Sequence, residues 1–263
     1  MLTVSSGVLD AFAIDGDPVA LPGGEGMSLR VGDCVVKQVH DADEAEWTQE
    51  LLSRTEQVGF RIPEPVQSTR GNWVYDGWSA SRFIPGLRSA LPLWNEIATA
   101  GLLFADAVEC VRYGGEEILA RRSHRWAFAD RVAWGEAVPD LDAEAKEVYR
   151  AIEALLTEQA VGRQVVHGDL TGNVYLDPSG VPVILDFSPY LRPRRWAMAI
   201  VFGDAVLWNG ADPSLAASFA TDPTDRDLFG RALIFRLVSE QVARNPRHGA
   251  HLQPYRDVLA ALR

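Results

Sequence analysis

The side chains best placed to do chemistry lie between residues 165 and 187. Val165-Val166-His167-Gly168-Asp169-Leu170-Thr171-Gly172-Asn173 leads into Val174-Tyr175-Leu176, and Ile184-Leu185-Asp186-Phe187 follows. The intervening Asp177-Pro178-Ser179-Gly180 has turn composition. If Leu176 and Val181 flank that turn, antiparallel pairing sets the start of the first strand beside the end of the second. Asn173 and Asp186 then share one end of a hairpin, with Asp169 in the loop before it. An amide and two carboxylates converging there make a hard-oxygen site. Such a site suits Mg²⁺, which takes one or two carboxylates and leaves its other positions to substrate phosphates and water. A further carboxylate can accept the proton of a hydroxyl as that hydroxyl attacks phosphorus. A lone Asp-x-x-x-Asn would read as ordinary turn residues, but these groups placed around one hairpin point to chemistry.

The elements that must hold these groups divide the chain in two. Upstream the sequence reads as strands and turns. Ser28-Leu29-Arg30-Val31 and Cys34-Val35-Val36-Lys37-Gln38-Val39 are β-rich runs around Gly32-Asp33, a hairpin signal. Residues 41–58 read as a helix capped by Asp41 or Asp43, with Trp47, Leu51 and Val58 on one face. Further strands are expected over 73–78 and 79–84. Beyond Pro85-Gly86, residues 92–111 and 142–160 carry helical spacing, two more helices fall between 194 and 244, and the 173–187 hairpin interrupts them. The expected fold class is α+β, with a small β-rich lobe over 1–84 and a larger, mostly helical lobe over 85–263.

Composition narrows the partners. The 263 residues are 47% apolar and 23% charged, as in ordinary globular proteins. A formal net charge of -11 should repel polyphosphate chains, so nucleic acid is not an expected partner. A single nucleotide needs only a local cation, backbone donors or a bound Mg²⁺. Cys34 and Cys110 form no C-x-x-C pair and read as small buried residues. No apolar run of about 18 residues suggests a membrane span, and a cytoplasmic protein is expected. The oligomeric state stays open.

Three weaker signals lie upstream of the hairpin. Lys37 stands among β-branched residues, where an ammonium needs a partner unless it snorkels to the surface. Gly23-Gly24-Glu25-Gly26, followed by Ser28, is a Gly-rich turn that can lay N–H groups against phosphates or serve as a plain hairpin loop. Ser81-Arg82-Phe83-Ile84-Pro85-Gly86 leaves the β-rich part.

His167-Gly168-Asp169-Leu170 with Asn173, then Leu185-Asp186-Phe187, resembles the catalytic and metal-binding loops of the aminoglycoside phosphotransferase and choline kinase-like family, which has the protein-kinase-like fold. The resemblance implies Asp169 as catalytic base, Asn173 and Asp186 as Mg²⁺ ligands, and a structural His167 bracing the loop. It implies that Lys37 holds nucleotide phosphates and pairs with a glutamate on the next helix. Among Glu44, Glu46 and Glu50, Glu44 falls within the apolar stripe and is taken as that partner. Gly24, Gly26 and Ser28 would line the phosphates, and Ser81 and Phe83 would lie in the linker that meets the adenine. Two departures stand out. Only Thr171 separates Leu170 from Gly172-Asn173, one residue fewer than usual, and Ser188 follows Phe187 where glycine is frequent.

The expected activity is transfer of the γ-phosphate of ATP or GTP to a hydroxyl of a sugar, amino sugar or amino alcohol. The departures motivate an alternative, a nucleotide-binding pseudokinase acting through partner contacts. A protein kinase is a weaker third reading, since His-Gly-Asp stands in place of His-Arg-Asp. Arg192, Arg194 and Arg195, with Arg121, Arg122 and Arg125, either form a solvated, ion-paired face or place Arg192 or a neighbour in the cleft to grip an anionic acceptor.

Overall fold

A computed structural model describes residues 2–21, 26–111, 114–157, 162–243 and 252–262. The chain opens with a short helix, α1 (Ser6–Phe12), which the sequence reading did not anticipate. Strands β1 (Val19–Ala20), β2 (Ser28–Val31) and β3 (Cys34–Gln38) follow, and Gly32-Asp33 makes the expected hairpin, with Val31 opposite Cys34. Helix α2 (Ala42–Ser53) comes next, then β4 (Pro65–Val66), β5 (Val74–Tyr75) and β6 (Trp78–Arg82). These strands form one antiparallel sheet in the order β1-β2-β3-β6-β4, with β5 also on β6. Its inner face closes on α1 through a small core that includes Val8, Phe12, Leu29, Val31, Val36, Trp78 and Ala80.

Asp41 caps α2 as expected, its carboxylate accepting from Glu44 N at 2.9 Å. The helix stops at Ser53 rather than 58. Thr55 explains the shorter end, because its hydroxyl takes the Leu51 carbonyl at 2.8 Å and competes with continuation of the helix. Trp47 and Leu51 are buried in the larger core of the chain, not in the core of the sheet. Helix α2 therefore ties the β-rich part to the helical part.

The helical part contains β7 (Arg88–Ser89), α3 (Trp94–Val111), α4 (Glu116–Ala120), α5 (Arg125–Ala133) and α6 (Ala143–Glu153). Strands β8 (Gln164–His167), β9 (Val174–Leu176), β10 (Pro182–Ile184) and β11 (Pro189–Arg192) come next. Helices α7 (Trp196–Trp208), α8 (Ser214–Phe219), α9 (Pro223–Val242) and α10 (Gln253–Ala261) complete it. The β9–β10 hairpin is the expected one, with Val174 opposite Ile184 and Leu176 opposite Pro182. The β8–β11 ladder was not foreseen; it sets His167 opposite Pro189.

Trp196 and Tyr255 are core, as expected, but Trp208 is 42% exposed. Cys34 is buried, whereas Cys110 is exposed, contrary to expectation. Among the described residues no helix is long and apolar enough to cross a membrane.

Candidate active site

Hydrogen bonds between main chain and side chains join the two halves of the motif. The Asn173 carbonyl accepts from Leu185 N at 2.8 Å, so Asn173 and Asp186 do lie at one end of the hairpin. Asp186, two residues past β10, adopts φ 46°, a left-handed conformation that aspartate tolerates better than most residues. Asn173 Nδ2 donates to the Asp169 carbonyl at 2.7 Å and to its carboxylate at 3.2 Å. The loop, one residue short, still closes Asn173 onto Asp169.

His167 braces both sides. Its Nδ1 accepts from Asp169 N at 3.0 Å, which leaves Nε2–H to donate to the Leu185 carbonyl at 3.2 Å. The ring is buried against Phe104 and Phe187, and that burial pushes its pKa below the ordinary 6.5. The folded imidazole thus stays neutral where the unfolded one takes up a proton. Stability should fall as pH drops below about 6.5, because the unfolded chain binds the extra proton. Denaturant unfolding between pH 5 and 7 (an interval spanning the ordinary histidine value) should show this slope, and His167→Gln should flatten it. An unchanged slope in the variant would remove His167 as the cause.

The glycine between His167 and Asp169 has a steric reason. A Cβ at Gly168 would overlap the Tyr190 ring, which is 6% exposed and packed on Trp196 and Phe235. Gly168→Ala should destabilise the fold by about 1–3 kcal/mol through overpacking. Denaturant unfolding reads it; wild-type stability would mean the ring yields freely.

Lys37, Ser28, Ser81, Phe83, Glu44 and Asp186 all line a cleft of about 550 Å³. Gly26 is exposed and does not line it, and Gly24 lies outside the described residues. The expected Lys37–Glu44 pair is not formed. Lys37 Nζ donates to Asp186 Oδ1 at 2.8 Å, while Glu44 takes Arg122 Nε at 2.7 Å and Nη2 at 2.5 Å. Glu46 accepts from Trp73 N and Val74 N, and Glu50 from the Trp73 indole. Each of the three glutamates has found a nearer donor, so none is left for Lys37.

The arginine expectation resolves toward ion pairs. Arg192 is 5% exposed and gripped by Asp130 at 2.7 and 2.8 Å and by Glu136 at 2.9 Å. Arg194 pairs with Asp106, Arg195 with Asp225 and Arg121 with Asp43. Arg122 does line the cleft, but Glu44 and the Pro189 carbonyl occupy its guanidinium. Arg192 therefore holds no acceptor.

Sequence reasoning missed Arg236 and Asp204. Arg236 forks onto Asp204 at 2.6 and 2.7 Å and reaches Asp169 Oδ1 at 3.1 Å. A signal existed: each charge interrupts an apolar helical run, Leu233-Ile234-Phe235 before Arg236 and Ile200-Val201-Phe202 before Asp204. Two opposite charges in such runs need each other.

The donors suit Mg²⁺. Asn173 Nδ2 is engaged by Asp169, which leaves Oδ1 to ligate, and Asp186 presents a carboxylate that already attracts a cation, Lys37. Among the described residues no three His, Cys, Asp or Glu side chains cluster as a metal cage.

No protein-family model and no curated protein matches this sequence. Solved structures do. The choline kinase LicA from Streptococcus pneumoniae superposes with a TM-score of 0.59 at 12% identity, over 97% of this chain and 96% of that one. An aminoglycoside phosphotransferase from Alicyclobacillus acidocaldarius gives 0.57 at 15% identity, over 100% and 96%. A spectinomycin phosphotransferase with AMP bound gives 0.51 at 12% identity, over 97% and 96%. The chain has the bilobal α+β fold that these kinases share.

Proposed function

We propose that this protein transfers the γ-phosphate of ATP or GTP to a hydroxyl of a small metabolite. The carrying observation is the meeting of Asp169, Asn173 and Asp186 at one end of the hairpin, with Lys37 of the β-rich part on Asp186 at the cleft. A nucleotide in the cleft fits the AMP complex of the spectinomycin phosphotransferase. Residues 1–84 would hold the nucleotide, with Lys37 on its phosphates and Ser81 and Phe83 beside its base. Asn173 and Asp186 would hold Mg²⁺, which, when bound, would neutralise charge on the phosphates. Asp169 then accepts the proton of the acceptor hydroxyl as its oxygen attacks phosphorus.

The test is a screen of acceptors with ATP and with GTP, read by nucleoside diphosphate release. Choline, ethanolamine, spectinomycin and simple sugars cover the acceptor classes. Turnover with one of them supports the reading.

The engagement of Glu44 by Arg122, which leaves Lys37 without the expected glutamate, favours one alternative, a pseudokinase that binds nucleotide and acts through partners. It predicts Mg·ATP binding with no turnover on any acceptor.

A further inference from the structure

Two charged side chains are buried among the helices without a part in the transfer just described. Asp204, on α7, is 1% exposed and Arg236, on α9, is 2% exposed. Their fork is well formed, with Nε to Oδ1 at 2.7 Å and Nη2 to Oδ2 at 2.6 Å. Packing alone does not call for it. The attraction within such a pair roughly offsets its desolvation, and apolar residues of like volume serve a core as well or better.

What sets this pair apart is its third contact. Arg236 Nη2 also reaches Asp169 Oδ1 at 3.1 Å, on a side chain that is 48% exposed. The rings of Trp208, at 4.9 Å, and Trp126, at 5.5 Å, lie against the guanidinium. From the other side Asn173 Nδ2 meets Asp169 Oδ2 at 3.2 Å. Both oxygens of the carboxylate are thus held, and each keeps a further lone pair for a hydroxyl.

We infer that Arg236 is a positioning residue for Asp169, and that Asp204 sets how firmly it grips. The inference rests on Asp169 being the base. Asp204 takes the two-pronged edge of the guanidinium, so Asp169 receives one contact from it rather than two. A guanidinium free of Asp204 would close its fork on Asp169 and occupy the lone pairs that the hydroxyl needs. The pair holds the base in place without consuming it. Fixed geometry matters here, since small displacements of a reacting group cost rate steeply.

The test compares wild type, Asp169→Asn, Arg236→Lys and the double variant Arg236→Met with Asp204→Leu. The double variant replaces the buried pair by apolar groups of similar volume, and Arg236→Lys keeps the buried charge but not the fork. Release of labelled phosphate from Mg·ATP is followed under single turnover with water as acceptor, beside calorimetric binding of Mg·ADP and thermal unfolding. The double variant should fold, bind Mg·ADP as wild type does, and release phosphate about 10²-fold more slowly, near the rate of Asp169→Asn. Arg236→Lys should slow the single-turnover release while its affinity for Mg·ADP stays that of wild type. A folded double variant, or folded Arg236→Lys, that keeps the wild-type rate overturns the inference, as does a loss of stability with the release rate retained. If Asp169→Asn itself matches wild type, the reading of Asp169 as base has failed instead, whatever the Arg236 variants show.

Discussion

Asp169→Asn should leave nucleotide affinity nearly intact and lower phosphoryl transfer about 10²- to 10⁴-fold, the usual worth of a general base. Asp169 meets Asn173 and Arg236 rather than the nucleotide cleft, whose lining does not include it. The amide keeps the size of the carboxylate and can still accept from Arg236, so the loop should hold its shape. What it loses is the capacity to take a proton from the attacking hydroxyl. The measurement is kcat on the acceptor found by screening, beside calorimetric titration of Mg·ATP. Wild-type turnover in the variant would show that another group, or no group, serves as base.

Asp186→Ala should instead remove Mg²⁺-dependent nucleotide binding. Partners that merely orient a metal's ligands are worth about 10–100-fold in metal affinity, and a ligand itself should be worth at least that. The structure adds a second expectation. Asp186 now engages Lys37 at 2.8 Å, so its removal frees the ammonium for phosphate oxygens. Binding of ATP without Mg²⁺ should therefore persist or tighten while the gain from Mg²⁺ disappears. Calorimetry with and without Mg²⁺ separates the two terms. Equal Mg·ATP affinities in wild type and variant would sink the metal assignment.

Both predictions concern the segment that was most legible in the sequence. Turn chemistry at Asp177-Pro178-Ser179-Gly180 and β-rich runs on either side fixed the hairpin, and pairing geometry then brought Asn173 and Asp186 together. The Gly32-Asp33 hairpin was legible for the same reason. These signals act over a few residues, so the residues themselves carry them.

Partners distant along the chain were not legible. Lys37 meets Asp186 across 149 positions, Arg122 meets Glu44 across 78, and Arg236 meets Asp169 across 67. With 36 acidic residues available, helical phase could place Glu44 on a face of α2 but could not say which cation that face would meet. The course of the chain decided it: the segment between α4 and α5 brings Arg122 to Glu44 first, leaving Lys37 to the carboxylate at the end of the hairpin. In sequence Arg192 reads as ion-paired or as a grip for the acceptor, and only the tertiary contact that brings Asp130 and Glu136 to it decides for the ion pairs. Sequence alone determined the hairpin and the meeting of Asn173 with Asp186 at its end, because local geometry sufficed. Tertiary structure alone decided which charge answers which, because an ion pair depends on distance in space and on the water excluded around it.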